Sequence, residues 1–169
     1  INKRGDKKKQ FYEITDNLMR FYFTFIFGNA GTIARIGSEQ FYKQNCGEKL
    51  REFVSRRFEG IVLEYFHRAS VNGEIDDIED FGSYWYDDPV NKTNGEFDCV
   101  VKRSGDNYDF YECKYFDREM TPEECEQEEK QLASVQGINI SKIGFVSIEG
   151  FSKDNIKDYI LIDGKKLYR

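Results

Sequence analysis

The sequence predicts an α/β domain, a mixed β-sheet flanked by helices, with a helical extension at the N-terminus. Three observations carry this reading. Residues 95–115, GEFDCVVKRSGDNYDFYECKY, alternate apolar and polar side chains on both sides of Ser104-Gly105-Asp106-Asn107, the pattern of a β-hairpin. Residues 46–69 repeat apolar side chains at helical spacing. Thr121-Pro122-Glu123-Glu124 has the form of a capping box with proline in the first turn, and the short apolar run of residues 140–147 suits a buried parallel strand.

Five of the first nine residues are Lys or Arg, and the chain opens on Ile1 rather than methionine, so an upstream part is expected before it. Residues 10–14 suit a strand, and Thr15 or Asp16 can cap the helix expected over 17–27, NLMRFYFTFIF. That helix is apolar nearly all round, which predicts burial on several sides, either in this domain's core or as a bridge to an upstream one. Residues 28–45 are Gly-rich and then mildly helical, the profile of a linker. Their GNAG and GTIARIG lack the preceding strand and the Lys-Ser/Thr of a phosphate loop.

The helix expected over 46–69 presents Val54, Phe58, Ile61, Val62, Tyr65, Phe66 and Ala69 on one face, and Arg56, Arg57 and Glu64 on the other. Glu59 sits at the boundary of the two faces, and His67 falls in the last turn, where a cation suits the helix dipole. EIDDIED, residues 74–80, departs from the calcium-loop pattern and reads as a solvated loop. The first strand is expected over 81–87, a helix over 121–136 ending at Gly137, strands over 140–147 and 159–162, a short helix near 153–157 and a turn over 163–166.

The 169 residues suffice for one domain with an appendage, and fifteen Phe and eleven Tyr can build its core. No stretch approaches the roughly 20 apolar residues of a membrane span, and charge rather than an apolar run follows the N-terminus. Cys46, Cys99, Cys113 and Cys125 lack zinc or C-x-x-C spacing, so free thiols in a reducing cytoplasm are expected. The net charge is −6, residues 70–99 are acidic, and the bases gather near the N-terminus and at Arg51, Arg56 and Arg57. This distribution argues against tight nucleic-acid binding by these residues alone, unless a metal offsets part of the acidic field.

The hairpin carries the chemistry. Glu112 and Lys114 lie two apart on one strand and so share a face. Asp98 on the other strand joins them only if the connecting loop has an odd number of residues, about three with Gly105 or Asn107 left-handed, or if a β-bulge intervenes. Two carboxylates brought together repel unless a proton or cation lies between them. Mg²⁺ or Mn²⁺ takes one or two carboxylates and retains water, which a neighbouring lysine can orient. The combination suits metal-assisted phosphodiester hydrolysis. On the opposite face Phe97, Cys99, Val101, Tyr111 and Cys113 are expected to pack under the helix carrying Phe58, Ile61 and Val62.

Asp98 followed by Glu112-Cys113-Lys114 resembles the motif of the PD-(D/E)XK nuclease superfamily, the restriction-endonuclease-like fold; Phe97 stands where that motif often has proline. The resemblance implies Asp98 and Glu112 as metal ligands with the backbone carbonyl of Cys113, Lys114 as the residue positioning the attacking water, and Glu59 assisting from the preceding helix. YEITDNLMRFYFTFIF, Phe58-Glu59, Gly82-Ser83-Tyr84-Trp85, Glu96-Phe97-Asp98 and the E-x-K further resemble the uncharacterised C-terminal domain of archaeal-type P-loop ATPases, where a winged-helix domain precedes it. That likeness implies that residues 1–45 are the end of the upstream region plus a connecting helix, and 46–169 the nuclease-like domain. No G-x-x-x-x-G-K-[ST] is present, so ATP would be bound by the upstream part. Two functions stay open: a Mg²⁺-dependent nuclease domain acting on DNA or RNA, and a non-catalytic docking or regulatory module of an ATPase.

Overall fold

A computed structural model describes residues 14–88, 93–133, 138–153 and 156–168. Residues 10–13 of the expected first strand, Gly137, and residues 154 and 155 of the expected short helix lie outside them. The chain divides into two compact units between Arg56 and Arg57; the boundary expected from the sequence is at residue 45.

The first unit is helical. Asp16 caps α1 (Asn17–Phe21), accepting a 2.7 Å hydrogen bond from the Met19 amide, and the helix widens into a π-helical turn, Tyr22–Ile26. Then follow α2 (Ala30–Ile36), α3 (Ser38–Asn45) and α4 (Gly47–Ser55), so the expected linker is mostly helix. Phe25, Phe41 and Cys46 form the core of this unit, with Phe21, Ile26, Ile33, Ile36, Leu50 and Phe53 packed around them. The expected burial of the 17–27 helix on several sides is not found. Leu18 is 76% and Phe27 62% exposed, and Met19, Tyr22 and Phe23 are exposed as well. One short helix has one side to bury, and Phe21, Phe25 and Ile26 take it.

The second unit is a five-stranded mixed sheet with helices flanking it, in the order β1 (Ile78–Asp88), β2 (Thr93–Arg103), β3 (Asn107–Lys114), β4 (Asn139–Ser147), β5 (Ile160–Asp163). The first three strands run antiparallel. From β3 the chain crosses through α6 (Pro122–Leu132) to parallel β4, and β5 lies parallel beside it. Thr121 and Glu124 close the capping box at the start of α6. Two expectations are corrected here. β1 begins at Ile78, so part of the acidic segment is strand rather than loop, and the last turn is a short helix, α7 (Gly164–Leu167), capped by Asp163.

The expected helix over 46–69 is two helices, α4 and α5 (Phe58–Val71), separated at Arg56 and Arg57. The reason lies in their two cores. Leu50 and Phe53 of α4 pack in the helical unit. Phe58, Val62 and Phe66 of α5 pack on Cys99, Val101, Tyr111 and Val146 of the sheet. On the other face, Leu132 of α6 covers Val100 and Phe110, and Cys125 meets Phe145. Phe97 is buried as expected, but in the α6 cluster rather than under α5. Gly82 pairs with Val100 and Tyr84 with Phe97, so Asp98 and Cys99 together oppose the single residue Ser83. This β-bulge shifts the alternation by one and turns Phe97 to the face of Val100. Ile61, expected to be buried, is half-buried.

Candidate functional site

The hairpin loop decides which side chains meet. It is a three-residue 3-10 turn, Ser104–Asp106, with Gly105 at φ 70° and Asp106 at φ 54°. The expected odd-numbered loop with a left-handed Gly105 is therefore present, Asp106 rather than Asn107 being the second left-handed residue. The register runs from Arg103 opposite Asn107 to Cys99 opposite Tyr111. The ladder stops there, one residue short of Asp98 and Glu112, and a side-chain hydrogen bond takes over.

Asp98 lies inside the bulge, where the β1 ladder is interrupted. Its Oδ2 accepts a 3.1 Å hydrogen bond from the Cys113 amide. In an antiparallel pair a residue's N–H and C=O both face the same neighbouring strand, so the Cys113 carbonyl also faces β2. Its thiol belongs to the other face, packed toward the α5 cluster.

Lys114 ends β3, and its Nζ lies 2.7 Å from Glu112 Oε1 and 2.9 Å from Glu128 Oε1. The three side chains are 24%, 18% and 26% exposed, so the cluster is largely withdrawn from water. Glu128 is on α6 and escaped the sequence reading. Residues 123–129 contain five glutamates, and nothing local separates the one that reaches β3 from those that face solvent.

The electrostatics follow from crowding. Burial, and then the Asp98 charge, push the Glu112 carboxyl up to about 7, against the opposing effect of Lys114. Burial also raises Asp98, partly offset by the Cys113 amide and then Lys114. Burial would lower Lys114, but its hydrogen-bonded pairs with Glu112 and Glu128 outweigh this and hold it above its ordinary value. Glu59 remains exposed in the first turn of α5. Partial desolvation, followed by the charges of Asp98 and Glu96, raises its carboxyl, so it lies within electrostatic reach of Asp98 while standing outside the ion-paired cluster. His67 falls inside α5, with its ring 5.9 Å from that of Phe81.

Among the described residues no three His, Cys, Asp or Glu side chains gather as a metal-binding group. The donors available at the hairpin are two carboxylates and one main-chain carbonyl. That short, hard oxygen set fits Mg²⁺, which fills its remaining positions with water and substrate oxygens. The Asp98 charge adds to the burial that raises Glu112, and a divalent cation relieves crowding of that kind.

The fold and the cluster together define an α/β domain with a carboxylate–lysine site at the end of a central hairpin. Residues 22–130 match the family model DUF234, archaeal and bacterial proteins of unknown function, and the chain belongs to that family. Glu59, Asp98, Glu112, Cys113, Lys114 and Glu128 all fall within the matched region. No curated protein and no solved structure matches the chain. Among the described residues no helix is long and apolar enough to cross a membrane.

Proposed function

We propose that this chain is a Mg²⁺-dependent nuclease domain of the PD-(D/E)XK type, hydrolysing phosphodiester bonds of DNA or RNA as the C-terminal part of a larger ATP-binding protein in the cytoplasm. The observation that carries the reading is the hydrogen bond that ties the Asp98 carboxylate to the Cys113 amide, between Glu112 and the Lys114 ammonium that pairs with it. Asp98, Glu112 and the Cys113 carbonyl would hold the cation. When bound, Mg²⁺ supplies Lewis-acid polarisation of the phosphate and a more acidic bound water.

Lys114 remains protonated, held charged by its two carboxylate partners. It therefore acts as a hydrogen-bond donor that orients the attacking water and offsets charge developing on the phosphate, not as a base. The Cys113 amide holds Asp98, so one ligand is oriented before substrate arrives. Glu59 assists from α5 through its reach to Asp98.

The test is cleavage of mixed DNA and RNA substrates with Mg²⁺ or Mn²⁺, with Lys114→Ala and Asp98→Asn as controls. Metal-dependent cleavage lost in both variants is expected. Cleavage that persists unchanged in both would place the activity elsewhere or in a contaminant.

A second reading, a docking or regulatory module for the ATPase part, is favoured by one observation: the exposed apolar surface of Leu18, Met19, Tyr22, Phe23 and Phe27. Absence of cleavage by the parent protein with ATP, metal and varied substrates selects it.

A further inference from the structure

We infer that Glu128 is the positioning residue for Lys114, retaining its ammonium at the end of β3 when a divalent cation takes the Glu112 carboxylate; this rests on the nuclease reading above. Four of the five glutamates of α6 pair with three cations. Glu124 pairs with Arg118, Glu126 and Glu129 with Lys157, and Glu128 with Lys114. Packing selects Glu128 for the site. Cys125, three residues before it, and Leu132, four residues after it, are both buried on the sheet, so Glu128 lies on the stripe of α6 turned toward β3. Its carboxylate is half-buried and 2.9 Å from Lys114 Nζ.

The charges explain why a second carboxylate is needed. Lys114 has two partners, of which Glu112 is the one the cation would engage. If Glu112 turns to the metal, the lysine loses that partner and faces a dication. Glu128, off the hairpin, stays available to hold it. Asp98, Glu112 and Glu128 bring three negative charges, Lys114 offsets one, and a divalent cation offsets the other two. Without Glu128 the cation and the ammonium share only Asp98 and Glu112. Metal then binds against an uncompensated positive charge, and Lys114 is free to leave the position from which it orients water.

Partners that orient a metal site from outside its ligand set typically contribute about 10–100-fold to affinity or activity. Glu128→Gln, which keeps the side-chain volume, should weaken Mn²⁺ binding about tenfold or more, read by electron paramagnetic resonance titration. It should also lower kcat for metal-dependent cleavage with little change in KM. Glu128→Ala, equally helix-compatible, should behave the same way, with melting curves confirming that both variants fold. In a Lys114→Met background, Glu128→Gln should have little further effect on Mn²⁺ affinity, because the residue acts through the lysine. Glu128→Gln that binds and cleaves like wild type, or that weakens Mn²⁺ equally in both backgrounds, overturns the inference while leaving the nuclease reading intact. Wild-type protein that neither binds Mn²⁺ nor cleaves overturns that reading, and this inference with it.

Discussion

The main-chain amide of Cys113 donates a 3.1 Å hydrogen bond to the Asp98 carboxylate, tying the bulge in β2 to the strand that carries Glu112 and Lys114. The bond puts both carboxylates into one electrostatic environment, and Asp98 is the largest charge effect raising Glu112.

The first prediction concerns pH. Glu112 is pushed from an ordinary 4.5 up to about 7 by burial and then by Asp98. A carboxyl raised on folding binds its proton more tightly in the folded state. Its contribution to stability is therefore fully present below about pH 4.5 and is lost as pH rises through about 7. Metal-free protein should lose on the order of 3 kcal/mol from this group across that rise. Glu112→Gln should flatten the melting-temperature profile over the same window. Mn²⁺ binding requires the ionised carboxylates and should strengthen as pH rises through it. A Glu112→Gln profile that superimposes on wild type would count against the shift.

The second concerns Lys114. Lys114→Met leaves Glu112 and Glu128 half-buried without their shared cation. Breaking a fully buried pair costs about 3–5 kcal/mol. Partial exposure here brings the expected cost at pH 8 down to about 1–3 kcal/mol. Near pH 5, where Glu112 is protonated, the cost should be smaller. Urea denaturation at the two pH values measures the difference, and equal losses at both would show that the carboxylates are not the cause.

The third tests the seam between β3 and β4. A Cβ at Gly144 would lie 2.4 Å from the Tyr111 ring and 3.0 Å from the Ile160 carbonyl oxygen. Gly144→Ala must therefore displace a buried ring, at about 1–3 kcal/mol. Thr121→Ala, which removes the capping box of α6, should cost about 1 kcal/mol. Chemical denaturation of each variant provides the check, and a neutral Gly144→Ala would contradict the close approach of Tyr111.

The fourth separates the two proposed functions. Leu18 and Phe27 are among the most exposed apolar side chains of the helical unit. Leu18→Ser and Phe27→Ser should change stability by no more than about 0.5 kcal/mol. For a nuclease domain the double variant keeps metal-dependent cleavage of short oligonucleotides. For a docking module it loses association with the ATPase part, read by co-purification with the full-length protein.

Local pattern was enough for much of the hairpin. The alternation of residues 95–115 and the E-x-K spacing placed Glu112 and Lys114 on one face, and the demand that Asp98 join them implied the odd-numbered turn that Ser104–Asp106 supplies. Thr121-Pro122-Glu123-Glu124 announced α6 for the same reason: capping depends on residues three apart in the chain.

Distant packing decided the rest. The side of α6 that meets the sheet selected Glu128 from among five neighbouring glutamates. The bulge opposite Ser83 turned Phe97 away from α5 and placed Asp98 where the β1 ladder is interrupted. Two separate cores divided one expected helix at Arg56 and Arg57. The 17–27 segment buried one side only, although its composition is apolar all round. By itself, then, the sequence determined the hairpin, the start of α6 and the shared face of Glu112 and Lys114, because hydrogen-bonding period and turn length are local. Only the tertiary structure decided which helix brings the second carboxylate to Lys114 and which apolar faces find a partner, because those depend on residues far apart in the chain competing for the same buried surface.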